Sequence, residues 1–156
     1  MRIRLLFVGK SDDAEYARGV DRYAARIGRF APCDVVVVKE ERPGAKPDAG
    51  RIRAREAERV LGALKPRDLL VLCDERGKER TSAEFARDLR QWLDSGPSAV
   101  VFAVGGAFGL DASLAGRARA ILSLSRMTLP HQLARLLLAE QVYRATATLS
   151  GVAYSK

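Results

Sequence analysis

Four short apolar runs, Ile3–Val8, Val35–Val38, Leu69–Cys73 and Ala99–Val104, limit the possible folds more than any other feature of this chain. Each is about the length of a strand, and each is continuously apolar rather than alternating. That pattern is expected of strands covered on both faces, as in a parallel sheet. Between and after the runs lie helical periodicities at about Asp12–Ile27, Asp48–Leu64 and Ser82–Leu93, a short one from Asp111, and a long one from His131 to about Thr148. Strands alternating with helices predict an α/β fold. At 156 residues the chain has length for a single domain, 1–156.

Local signals set the boundaries. Thr81 and Glu84 have the spacing of a capping box ahead of Phe85, Ala86 and Leu89, and Gly96-Pro97 ends that helix. Asp111 should cap the short helix, and Pro130 fits the first turn of the last one. Residues 40–48 carry Arg42-Pro-Gly-Ala-Lys-Pro47 without periodicity and are expected to form an exposed basic loop.

Composition narrows the function. A net charge of +8 favours polyanionic partners, and nucleic acid is the obvious one. Cys33 and Cys73 each sit in or beside an apolar run, as reduced core thiols of a cytoplasmic protein would. With one histidine and no Cys-x-x-Cys, no metal site is expected. The N-terminal apolar run is too short for a signal peptide, and no stretch reaches membrane-spanning length, so no membrane is expected as a partner.

In a parallel α/β sheet, ligands collect beyond the carboxyl ends of the strands. Three loops there are informative: Cys73–Arg80, charged and with one glycine; Gly105-Gly-Ala-Phe-Gly-Leu110; and Leu122–Pro130. Gly105 and Gly106 can bring backbone close to a ligand or simply form a tight turn; a side chain at position 105 should enter the ligand slot. The spacing is not that of a dinucleotide fingerprint. Leu124 to Leu129 can offer main-chain partners and an apolar slot to an adenine ring, or serve as an ordinary strand-to-helix connection. The last helix is apolar around much of its girth, at Leu133, Leu136, Leu137, Leu138, Ala139 and Val142, which suggests burial against a second copy of the chain. Glu140 and Arg144 are spaced for an ion pair.

Taken in order, Leu72-Cys-Asp-Glu-Arg-Gly-Lys78, Thr81-Ser-x-x-Phe-Ala, Gly105-Gly-Ala-Phe-Gly-Leu110, Leu122-Ser-Leu-Ser-x-Met-Thr-Leu-Pro-His131 and Leu138-Ala-Glu-Gln-Val-Tyr-Arg-Ala145 resemble the large-subunit pseudouridine N3-methyltransferase family called RlmH, of the SPOUT superfamily. The similarity runs nearly end to end and extends to Leu6-Phe-Val-Gly-Lys10. It implies a SPOUT-type parallel sheet flanked by helices with a C-terminal trefoil knot, a homodimer, and S-adenosyl-L-methionine held in the knot loops. Carried onto this chain, the cofactor contacts fall on Leu72, Gly105, Gly106, Leu124, Ser125, Arg126, Met127, Thr128 and Leu129. The implied substrate is N3 of a pseudouridine in large-subunit ribosomal RNA within the ribosome.

For the chemistry, His131 is the leading candidate for proton handling or substrate positioning. Arg144 is a candidate for gripping phosphate or a developing oxyanion and Tyr143 for stacking on a base, or both for bracing the dimer helix, and Tyr154 is a candidate for a share in catalysis. The family's tail ends in Tyr-His, where this chain has Tyr154-Ser155-Lys156; Lys156 could replace the histidine by its charge. The competing reading is a non-catalytic ribosome- or RNA-binding dimer that uses Arg2, Arg4, Arg42, Lys46, Arg51, Arg53 and Arg55.

Overall fold

The computed structural model describes residues 1–154; Ser155 and Lys156, and the reading attached to them, lie outside the described residues. Five parallel strands, β1 (Ile3–Val8), β2 (Cys33–Val38), β3 (Leu69–Glu79), β4 (Val100–Val104) and β5 (Ala120–Ser123), form one sheet in the order β2-β1-β4-β3-β5. Four helices flank it: α1 (Ala14–Ile27), α2 (Ala49–Gly62), α3 (Ser82–Asp94) and α4 (His131–Leu149).

Both faces of the central strands are covered, as their continuous apolar runs require. Ile3, Leu5 and Phe7 of β1 point to one face, where they join Phe102 and residues of α1, α3 and α4 such as Ile27, Leu89 and Leu138. Leu6 and Val8 point to the other, against Ala57 and Val60 of α2 and Leu114. Phe85, Trp92 and Phe102 meet edge to face with centroids 5.8 to 6.3 Å apart, a favourable quadrupole geometry.

Three expectations change. First, β2 is an edge strand covered on one face only, leaving Val35 and Val37 exposed, and Cys33 at its start is half-buried. Second, Ala120–Ser123 is a strand, paired to β3 from Val71↔Ala120 onward. Third, the charged segment after Cys73 is not wholly loop. Leu122 lies opposite both Cys73 and Lys78, so Asp74–Gly77 loops out as a wide bulge before β3 resumes. Gly77 makes this possible, because a Cβ there would sit 2.6 Å from the Ile121 carbonyl oxygen.

The caps follow the sequence. Thr81 and Glu84 form a reciprocal capping box, and Gly96 takes a left-handed φ of 73° just past α3. Asp111 caps a single 3-10 turn, Ala112–Gly116, rather than an α-helix. Pro130 stands at the N-cap of α4, one residue before the first turn, and makes no side-chain cap. Among the described residues, no helix is long and apolar enough to cross a membrane.

Candidate active site

Beyond the carboxyl ends of β3 and β4, the chain encloses a cleft of about 690 Å³. Its walls are the three segments singled out by the sequence: the β3 bulge (Cys73–Arg76), the turn after β4 (Val104–Ala112), and residues 124–131 leading into α4, with Arg53 at the rim. Strand ends, glycine backbone and a helix start converge there because the sheet is parallel.

The turn after β4 is tight. Gly109 has φ of 80° and its N–H donates to the Gly106 carbonyl at 3.0 Å, closing a small bridge. Gly105 lies under that bridge: a Cβ on it would be 2.7 Å from the Gly109 carbonyl carbon. A side chain at 105 would therefore break the turn rather than point into the slot. The bare face of Gly106 also looks inward, toward Val8 and the Glu56 carboxyl.

Residues 123–128 are stitched to the bulge. Thr128 Oγ1 donates to Glu75 Oε2 at 2.8 Å, and the Ser123 hydroxyl reaches the Glu75 carbonyl at 3.1 Å. The Met127 N–H donates to Ser125 Oγ at 2.9 Å. Asp74, also lining the cleft, is held below the usual carboxylate range by hydrogen bonds from Arg76. The Cys73 thiol is pushed up to about 12 by burial, and that of Cys33 to about 11, so neither is a thiolate at neutral pH.

Gly105, Gly106, Leu124, Ser125, Met127, Thr128, Leu129 and His131 all line this cleft. Leu72 does not; its side chain is buried on the α2 face, and its neighbour Cys73 takes the wall. Arg126 is not part of the lining either, with 83% of its side chain exposed. Asp74, Glu75, Phe108 and Asp111 also line the cleft, though the sequence reading gave none of them a ligand role; the charged composition of 73–80 was the available signal for the first two.

Arg144 and Tyr154 are not brought to His131 within the chain. Thirteen residues along α4 separate His131 from Arg144, about 20 Å at 1.5 Å per residue. There Arg144 donates to Glu140 at 2.6 Å and its guanidinium lies 4.2 Å from the Tyr154 ring centroid. Tyr154 meets Tyr143 edge-on at 5.0 Å, and burial, with Tyr23 beside it, pushes its hydroxyl above the ordinary tyrosine value.

The cations proposed for RNA divide. Arg4 is buried and ion-paired to Asp68 at 2.9 Å, and Arg2 is paired to Asp34, so neither is a free phosphate grip. Arg42, Lys46, Arg51 and Arg55 are exposed along the β2–α2 loop and α2, leading to Arg53 at the cleft. Among the described residues, no group of three His, Cys, Asp or Glu could hold a metal ion.

A glycine-turned cleft at the carboxyl edge of a parallel sheet, walled by leucines and free backbone, stands where α/β enzymes gather their ligands. The family model described as "Predicted SPOUT methyltransferase" matches residues 1–155. The chain belongs to the SPOUT methyltransferase family. It is 43% identical over 154 residues to a Geotalea daltonii protein named ribosomal RNA large subunit methyltransferase H, covering 99% of each chain. Proteins of the same name from Anaeromyxobacter sp. (strain Fw109-5) and Limosilactobacillus reuteri are 43% and 36% identical, each over 100% of both chains. A crystal structure of a probable methyltransferase from Bordetella pertussis Tohama I shares the fold, with a TM-score of 0.59 at 20% identity over 93% of this chain and 96% of that one.

Proposed function

We propose that the protein is an S-adenosyl-L-methionine-dependent methyltransferase that modifies N3 of a pseudouridine in large-subunit ribosomal RNA, within assembled ribosomes. The observation that carries the reading is the convergence of the β3 bulge, the Gly105–Leu110 turn and residues 124–131 on one cleft of about 690 Å³. That volume suits a nucleoside-sized ligand, and the lining suits its parts. Leu110, Leu124 and Leu129 offer an apolar slot for an adenine, main-chain groups of 124–129 can read its edge, and Asp74 and Glu75 supply acceptors for sugar hydroxyls.

The bound donor supplies an electrophilic sulfonium methyl, so the chain's own residues mainly align and stabilise. His131, on the cleft wall at the start of α4, serves the acceptor end. The protein works as a cytoplasmic homodimer: α4 packs one side on α1 and α3 and leaves Leu133 and Leu137 only half-buried. Arg144 and Tyr154, far from their own chain's cleft, act through the partner's site, gripping RNA there. The C-terminal trefoil knot that the resemblance implies belongs to the same reading; it would involve residues 124–130, which join β5, the edge strand beyond β3, to α4. The exposed Arg42, Lys46, Arg51 and Arg55 hold RNA phosphates near the cleft.

The test is calorimetric titration with S-adenosyl-L-methionine, followed by methyl transfer to large ribosomal subunits and to short transcripts. Saturable binding and transfer to subunits well above transcripts is expected, since so small a protein reads RNA by local shape. Equal transfer to naked transcripts overturns the ribosome requirement; no binding and no transfer overturn the reading.

A further inference from the structure

Where the first turn of α4 meets the β1–α1 loop, a buried amide faces the only histidine of the chain. Gln132 is 8% exposed, and its Nε2 lies 3.3 Å from Asp12 Oδ1 and 3.3 Å from His131 Nε2. Its Oε1 lies 2.8 Å from Ser11 Oγ. An amide's orientation is fixed by what its partners can do. A carboxylate only accepts, so the amide nitrogen must face Asp12; the single proton of the Ser11 hydroxyl is shared between the amide oxygen, at the shorter distance, and the Asp13 carbonyl at 3.0 Å.

That orientation settles the imidazole. The amide –NH₂ has two hydrogens, one for Asp12 and one directed at His131 Nε2. Two N–H groups cannot face each other at that distance without repulsion, so Nε2 must present its lone pair. In a neutral imidazole the proton then sits on Nδ1. We propose that Gln132, braced by Asp12 and Ser11, locks His131 in the Nδ1–H form, so that it serves the cleft as a hydrogen-bond donor and not as a proton acceptor.

The surrounding charges agree. The groups facing the ring are Arg135 one turn along α4, Asp12 from the β1–α1 loop and Glu40 beyond β2. Burial and the Arg135 cation hold His131 below the usual imidazole range against the opposing pull of Asp12 and Glu40, so it is neutral at pH 7. Arg135 cannot swing away: it donates to the Val8 carbonyl at 2.6 Å and lies 4.9 Å from the Phe7 ring centroid. His131 makes no other side-chain hydrogen bond among the described residues, so Nδ1–H is left for a ligand of the cleft that the residue lines.

What the donor acts on rests on the methyltransferase reading above. Losing the imide proton to water puts negative charge on the two carbonyl oxygens flanking the ring nitrogen. As the N–C bond forms, the C–S bond breaks and its electron pair stays on sulfur. A fixed N–H aimed at one of those oxygens stabilises the anion, whereas a general base needs a lone pair that Gln132 already occupies. Gln132, Asp12 and Ser11 are positioning residues.

Nitrogen-15 labelling of the full chain tests this in one long-range ¹H–¹⁵N spectrum, because only one imidazole contributes. Without ligand at pH 7, a pyrrole-like Nδ1 and a pyridine-like Nε2 are expected; a protonated Nε2 overturns the proposal. In Gln132→Glu the carboxylate accepts from Nε2–H, so the tautomer should switch and the titration midpoint rise; an unswitched ring in a folded variant overturns it. Should that variant not fold, Asp12→Asn frees the amide to turn over and should lower the Nδ1–H fraction. Methyl transfer by the wild type should show no break at the NMR midpoint of His131, and an acid limb there refutes the donor role. If Nδ1–H is found but no methyl is transferred, the tautomer lock stands and the functional reading fails.

Discussion

Replacing Gly105 by alanine adds one methyl group at the tightest point of the turn after β4. Its Cβ would stand 2.7 Å from the Gly109 carbonyl carbon, 2.9 Å from that oxygen and 3.1 Å from Leu110 Cγ. Carbon contacts relax near 3.5 Å, so the bridge between Gly106 and Gly109 must move by about 0.8 Å, and backbone cannot yield as a side-chain tip does. Overpacking of this kind costs about 1–3 kcal/mol. A displaced turn also misplaces the N–H and C=O groups that would meet the donor; losing one or two such hydrogen bonds, at about 1 kcal/mol each, weakens binding roughly 5- to 30-fold. Gly116→Ala is the control, since a Cβ there meets nothing within 4 Å. Urea unfolding and calorimetric titration with S-adenosyl-L-methionine provide the two readouts. If Gly105→Ala matches the control in both, the argument that this glycine is required by close backbone approach is wrong.

Three further outcomes follow from buried groups. Asp68→Ala leaves Arg4 buried without its partner and frees the Lys65 N–H that Asp68 also accepts, so urea unfolding should show a loss of about 3 kcal/mol, largely recovered in the double variant with Arg4→Met. Gly77→Ala puts a Cβ 2.6 Å from the Ile121 carbonyl oxygen and should cost about 2 kcal/mol together with weakened donor binding, because the bulge carries a wall of the cleft. Glu56 is buried with Oε1 unpaired, and burial raises its carboxyl above the ordinary glutamate value. A raised folded-state value means the native form holds its proton more tightly than the unfolded chain, so the penalty is present at neutral pH and disappears below the ordinary glutamate range. Glu56→Gln should therefore be more stable than wild type at pH 7, with an advantage that shrinks on acidification, as thermal unfolding across pH would show.

How far the sequence speaks depends on the kind of signal. Buried strands announced themselves because β1 and β4 are covered on both faces, and the capping box of α3 is written in four adjacent residues. The cleft was legible as three loops because a parallel sheet gathers its strand ends at one edge. β5 was not: Ala-Ile-Leu-Ser is too short for periodicity and its first half is not buried. The run Val35–Val38 read as fully covered, yet lies at the edge of the sheet, and strand order is not contained in a strand's own residues. The resumption of β3 after its bulge depends on Gly77 meeting Ile121, a contact across 44 positions. The lock on His131 joins Ser11 and Asp12 to Gln132 over 121 and 120 positions, and only tertiary packing reveals it.

The most direct test of the account incubates the purified protein with isotopically labelled S-adenosyl-L-methionine and large ribosomal subunits that lack the modification, then maps the label by mass spectrometry of nuclease fragments. The account predicts one labelled pseudouridine, methylated at N3, with the label much reduced in Gly105→Ala. Label on protein or on many nucleotides, or none from a protein that binds the donor, would contradict it.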